Sequence, residues 1–202
     1  MKRIISIAVV CVAGVSISVW AQGRRGAAPP APPAALEPGA SQADVDRALL
    51  ALPEGLRAQT TVIKWKADFT YDTLRKGTNG LVCYDRSGMP LQQPFAVQCT
   101  SSGNLTREAQ NLKAEATGDR AKSEAMLKEM EQNGTRAKPE FGSVWYHMSG
   151  ADKDHVGAHE VTIAVPGATS ESLGGLPTQR RENGVWIMNA GTSTAHIMIP
   201  GR

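Results

Sequence analysis

The sequence predicts an α+β domain: a mainly antiparallel sheet or small barrel with one short N-terminal helix and an inserted helical segment. Three observations lead there. Apolar and polar residues alternate from Val62 onward in Thr60-Thr61-Val62-Ile63-Lys64-Trp65-Lys66-Ala67, the period of a half-buried strand. Residues Asn104 to Asn133 turn to Ala, Glu, Lys, Gln, Leu and Met, the good helix formers. The last third returns to short strand-like runs divided by glycine, proline and serine. A chain of 202 residues has room for one ordinary domain and a tail. Its 41% hydrophobic and 20% charged residues are enough for a core and unlike a disordered composition.

The N-terminus predicts export. Lys2 and Arg3 precede an apolar run from Ile4 to Val19, and Val19-Trp20-Ala21 offers acceptable residues for a cut after Ala21. Residues 1–21 therefore read as a secretory signal peptide, since the run is shorter than the roughly 20 residues that span a bilayer. Bulky Val9 and Val10 before Cys11 argue against a lipidated cysteine. Residues 22–40 carry Pro29, Pro30, Pro32, Pro33 and Pro38 among alanines and glycines, and proline supports neither helix nor ladder. An extended, disordered linker is expected there, leaving one α+β domain over residues 41–202. A periplasmic or secreted location follows, with no transmembrane segment once the signal is removed.

Within the domain, Ser41 and Asp44 read as a cap, with Val45, Ala48, Leu49 and Leu52 on one helical face before Pro53. After the strand from Val62, Phe69 to Leu74 continues in extended fashion. Gly77-Thr78-Asn79-Gly80 then reads as a tight turn leading into Leu81-Val82-Cys83-Tyr84, a hairpin. In the helical stretch, Leu105, Ala109, Leu112 and Ala116 keep a three-four spacing, as do Met126, Leu127 and Met130. Thr117-Gly118-Asp119 breaks the run and Gly134 ends it. The strands expected last are 143–148, 160–165, 184–189 and 193–199. If Ala190-Gly191-Thr192 is a three-residue loop, Trp186 lies opposite His196 and Met188 opposite Thr194, with Met198 further along the same face. A two-residue loop would shift that register.

Only Cys83 and Cys99 remain after signal removal, and an even pair in an exported chain reads as a structural disulfide. The spacing is not Cys-x-x-Cys and no histidine adjoins it. The charge balance excludes one partner class. Lys+Arg 22 against Asp+Glu 19 includes Lys2 and Arg3 of the signal, so the mature chain is nearly neutral. The basic residues of the helical stretch are interleaved with acids, which describes a solvated face and no nucleic-acid interface. Phosphate-cradling loops and dinucleotide fingerprints are absent from the sequence.

The soft donors form the first candidate site. His159, His196, Met148, Met188 and Met198 combine imidazole and thioether, a donor set suited to copper, with zinc as the other candidate. Core methionines and hydrogen-bonded structural histidines are the plainer account of the same residues. His155 and His159, four apart, sit beside an expected strand and do not form a zinc-protease motif. Hydrolysis would use Ser193 or Ser149 with His196 or His159 and one of Asp152, Asp154 or Glu160, but Ser193 lacks the nucleophile elbow. Trp186, His147 and Asp152 are candidates for a functional surface. The long loop Ala168 to Asn183 is either functional or an insertion.

Taken together, Gly77-Thr78-Asn79-Gly80 with Cys83, Cys99, Trp145-Tyr146-His147-Met148-Ser149-Gly150, His159, Pro166-Gly167, Val185-Trp186-Ile187-Met188, Gly191-Thr192 and Ala195-His196-Ile197-Met198-Ile199-Pro200 resemble a group of exported bacterial proteins of unknown function. The resemblance covers most of Ala51 to Gly201. It implies export, the cysteine pair and one shared fold, and it supplies no catalytic residues. The long helical stretch Leu105 to Gly134 departs from the shorter segment of many members. The leading expectation is a non-catalytic cell-envelope binding or interaction module for an envelope protein or small ligand. Metal handling with copper or zinc is the alternative, and a small hydrolase the third.

Overall fold

The computed structural model describes residues 32–181 and 184–201. The expected signal peptide, and the linker up to residue 31, lie outside the described residues. Eight strands form one open sheet in the order β2-β1-β3-β4-β5-β6-β8-β7. They are β1 (Thr61–Trp65), β2 (Tyr71–Arg75), β3 (Leu81–Asp85), β4 (Phe95–Ser101), β5 (Val144–Gly150), β6 (Val156–Ala164), β7 (Trp186–Met188) and β8 (His196–Pro200). Every pairing is antiparallel except β1 with β3. The described helices are α1 (Gln42–Ala48), the single turn α2 (Glu54–Arg57), α3 (Leu105–Glu115) and α4 (Arg120–Gln132). The α+β class is thus observed, with a sheet whose edges β2 and β7 do not close into the alternative barrel.

The parallel pair replaces the hairpin expected at Gly77 to Gly80. Lys66 N–H donates to Thr70 O at 2.8 Å across a turn in which Phe69 has φ 64°, so β1 and β2 form the hairpin instead. The chain then crosses the end of β1 and enters β3 on its other side. Thr78 and Asn79 N–H both donate to Gln59 O there. A Cβ on Gly77 would lie 2.2 Å from that same carbonyl oxygen. The glycine serves a close backbone crossing and no two-residue turn.

The expected linker is also partly ordered. Ala34 N–H donates to Ala58 O, Glu37 N–H to Leu74 O, and Leu36 bridges to Arg75. Residues 34–37 therefore cover part of the β2 edge, which would otherwise leave ladder groups unpaired.

One face of the sheet is covered by α1 and the 3-10 turn Leu49–Ala51. Val45, Ala48, Leu49 and Leu52 pack there on Val62, Cys83, Phe95, Val97 and Cys99. Ser41 Oγ accepts from Asp44 N–H at 3.4 Å at the start of α1. Cys83 and Cys99 are direct cross-strand partners and form a disulfide, both fully buried. On the opposite face, Leu112 of α3 packs with Ile63, Trp65, Val82 and Tyr84. A third cluster, Val165, Ile187 and Ala195, lies under Ala168, Leu173 and Leu176, so part of the long loop after β6 packs as core. No described helix is long and apolar enough to cross a membrane.

Candidate functional site

The helix-bearing face is filled over β1 and β3 but open over β5, β6 and β8. Two helices arise there because Gly118, with φ 67°, breaks the run, and Asp119 accepts from Lys122 N–H at 3.1 Å to start α4. Among the residues of α4 whose burial is described, only Ser123 is buried. The result is a cleft of about 1170 Å3 between α3–α4 and the sheet, larger than most small-molecule sites.

Its floor follows from strand alternation. Gln98, Trp145, His147, Ser149, Glu160, Thr162, His196, Met198 and Met188 line the cleft. The pairings His147↔Glu160, Trp145↔Thr162, Thr162↔Met198 and Met188↔His196 put them on one face. The helical wall supplies Arg107, Glu108, Asn111, Arg120, Leu127, Lys128 and Glu131, with Arg86 and Arg136 at the sides.

Its deep groups are fixed by hydrogen bonds. Trp145 Nε1–H donates to Glu108 Oε1 at 2.6 Å, and Asn111 Nδ2–H donates to the same oxygen at 3.0 Å. Glu108 is 1% exposed. Arg86 donates to Gln98 Oε1 at 2.9 Å and is ion-paired with Glu115; burial raises the Glu115 carboxyl in spite of that contact. Arg107 donates to Ala137 O at 2.6 Å and faces Glu131 Oε1 at 3.4 Å. Burial and neighbouring Arg107 bring the Arg136 guanidinium down to about 10. Arg120 and Lys128 at the rim make no hydrogen bond or salt bridge among the described residues. Burial, then Arg86, holds His147 below its ordinary value, against the opposing Glu160. Burial also lowers His196, against the Thr194 carbonyl.

The five soft donors divide. Met188, Met198 and His196 share the cleft face. Met148 and His159, direct partners on β5 and β6, have the opposite parity, and Met148 packs beneath α1. His159 also lies five positions along β6 from Ala164, the partner of His196, about 16 Å at strand rise. The expected β7–β8 register is off by two residues: Met188, not Trp186, opposes His196, and Trp186 opposes Met198. Turns closed by Thr192 N–H to Asn189 O and Ala195 N–H to Thr192 O lengthen the loop. A two-residue shift keeps every side chain on its face.

Trp186 is not a surface residue. It is 3% exposed, with the Arg180 guanidinium 5.9 Å from its ring. Asp152 lies away from the cleft in an exposed turn, accepting from Asp154 N–H, His155 N–H and His155 Nδ1. The hydrolytic sets are not assembled. Ser193 Oγ contacts Glu131 instead of a histidine, Ser149 and His159 occupy opposite faces, and Ser149 pairs with Ala158, six positions along β6 from Ala164, the partner of His196. Among the described residues, no three His, Cys, Asp or Glu side chains group around a possible metal position.

Sequence reading missed Glu108 and the arginines. Glu108 stands between Leu105 and Leu112 on the apolar stripe of α3, and a charge on such a stripe was the available signal. No protein-family model matches the chain, and neither does any curated protein or solved structure.

Proposed function

We propose that the protein is an exported, non-catalytic binding module of the cell envelope whose ligand site is the cleft between α3–α4 and the sheet. Its kinship with the exported proteins of unknown function belongs to the same proposal. The observation that carries the reading is the cleft itself: about 1170 Å3 with a mixed floor in which Trp145, Met188 and Met198 supply apolar surface and Gln98, His147, Ser149, Glu160, Thr162 and His196 supply polar groups. Deep in it, Trp145 and Asn111 both donate to Glu108 Oε1, while Glu108 Oε2 and Arg86 Nε are buried without a hydrogen-bond partner among the described residues. Its charged lining is Arg86, Arg107, Arg120, Lys128 and Arg136 against Glu108, Glu131 and Glu160. With Glu115, which pairs with Arg86 and feels Arg120, the cations still outnumber the carboxylates by one, and with exposed Arg120 and Lys128 at the rim this favours an organic ligand with an apolar body and an anionic group. Export is supported by the basic start and apolar run of the chain and by a buried disulfide, a bond that persists in oxidising compartments.

Anilinonaphthalene sulfonate, an apolar anion, is the probe for this reading. The folded mature chain binds it saturably, and Arg120→Glu with Lys128→Glu weakens binding about tenfold, equivalent to about 1.4 kcal/mol. Thr162→Trp, which fills the floor, abolishes it while the unfolding transition stays cooperative. Absence of saturable binding, or binding indifferent to all three substitutions, would overturn the assignment.

A further inference from the structure

The β7–β8 pair sets Trp186, Met188, His196 and Met198 in a two-by-two array. Met188 is the direct partner of His196, and Trp186 of Met198. The intervening Ile187 and Ile197 turn to the other side and pack with Val165 and Ala195. Directly opposed Cβ atoms lie about 4.5–5.5 Å apart and diagonal ones about 7–8 Å. Methionine side chains, flexible and unbranched, can therefore converge with the imidazole on one point. We propose that His196, Met188 and Met198 form a mononuclear Cu(I) site at the rim of the cleft, with Trp186 beside it.

The imidazole is arranged for coordination. His196 Nδ1 lies 2.7 Å from Thr194 O. A carbonyl only accepts, so Nδ1 carries the hydrogen and Nε2 presents its lone pair. A ligating histidine commonly donates its other N–H to a backbone carbonyl in this way, which fixes ring and tautomer.

The donor chemistry selects the ion. Two thioethers and an imidazole are a neutral, soft set that suits Cu(I). Zinc sites are built from thiolate, imidazole and carboxylate, and calcium sites from oxygen. Access is built in as well. Met188 is 40% exposed on the edge strand, whereas Met198 is 7% exposed. One thioether can exchange with solvent while the other is held by packing and by Thr162 Oγ1, which donates to its sulfur at 3.3 Å.

The inference stands apart from whatever organic ligand the cleft holds. The test is anaerobic competition of the oxidised mature chain with the Cu(I)–bicinchoninate complex, repeated by direct titration with Ag(I). One equivalent of Cu(I) is expected to leave the chelator, quenching part of the tryptophan emission, a loss absent in Trp186→Phe. Met188→Leu and His196→Gln each weaken binding by at least about tenfold, with thermal unfolding recorded on the same samples. Met148→Leu, on the opposite face, leaves it unchanged. The site is refuted if no Cu(I) leaves the chelator, if the Met188→Leu and His196→Gln double variant binds as the parent does, or if only Zn(II) binds. Anilinonaphthalene sulfonate binding by the parent chain, measured without copper, separates this failure from failure of the cleft reading.

Discussion

The carboxylate of Glu108 is the most constrained group of the cleft. It is almost fully buried and takes two donors on one oxygen. Trp145→Phe keeps most of the ring and removes one donor, so the charge stays buried with one partner fewer. A loss of about 1–3 kcal/mol is expected, to be measured by urea unfolding. The histidines supply a second prediction. His147 and His196 both titrate below their ordinary 6.5 in the folded chain. On acidification through that value, the unfolded chain binds protons that the folded chain refuses, so stability falls as pH falls. His147→Gln with His196→Gln should flatten the slope below about pH 6.5. The comparison is between parent and variant because Glu115, raised by burial, slopes the other way: protonation on acidification favours its folded form.

Among the elements, the crossing after β2 and helix α4 invite opposite tests. At Gly77 an added Cβ meets backbone of Gln59 and Thr60 within 2.5 Å, and neither can move without disturbing β1. At Gly80 the space is open but φ is 75°. Gly80→Ala should cost about 1–2 kcal/mol from strain alone, and Gly77→Ala should cost more, as read by thermal unfolding. Helix α3 anchors the sheet through Leu112 and Glu108. By contrast, α4 spans the cleft with Ser123 its buried residue. Amide exchange should therefore be faster in α4 than in α3 at the same pH. Equal protection of the two helices would contradict this picture of a loosely seated wall.

At the scale of the whole molecule, the disulfide joins two central strands sixteen positions apart in sequence. Closing a loop of about 15 residues is worth about 3 kcal/mol in the chain-entropy model, a large share of a typical domain's total. Cys83→Ser with Cys99→Ser is expected to lose roughly that amount in urea unfolding. Intact mass of the exported chain should correspond to a start at Gln22; retention of Met1 to Ala21 would remove the envelope assignment.

What the residues declare locally was legible beforehand. The helix break at Gly118, the cysteine pair and the alternating strands each rest on short-range causes: a positive φ, an even thiol count and a two-residue period. The faces of β7 and β8 were legible for the same reason, since a register error of two residues leaves each side chain on its side. Other features required the fold. The parallel pairing of β1 with β3, the docking of residues 34–37 on β2 and the opening of the sheet over β5, β6 and β8 depend on contacts between distant segments. Glu108 and Trp145 meet across 37 positions. Met148 and His159 part from Met188, His196 and Met198 because sheet pairing, not residue type, decides which face a donor shares. The sequence alone determined which chemical groups the chain carries and its local periods; the tertiary structure decided which of them surround one cleft.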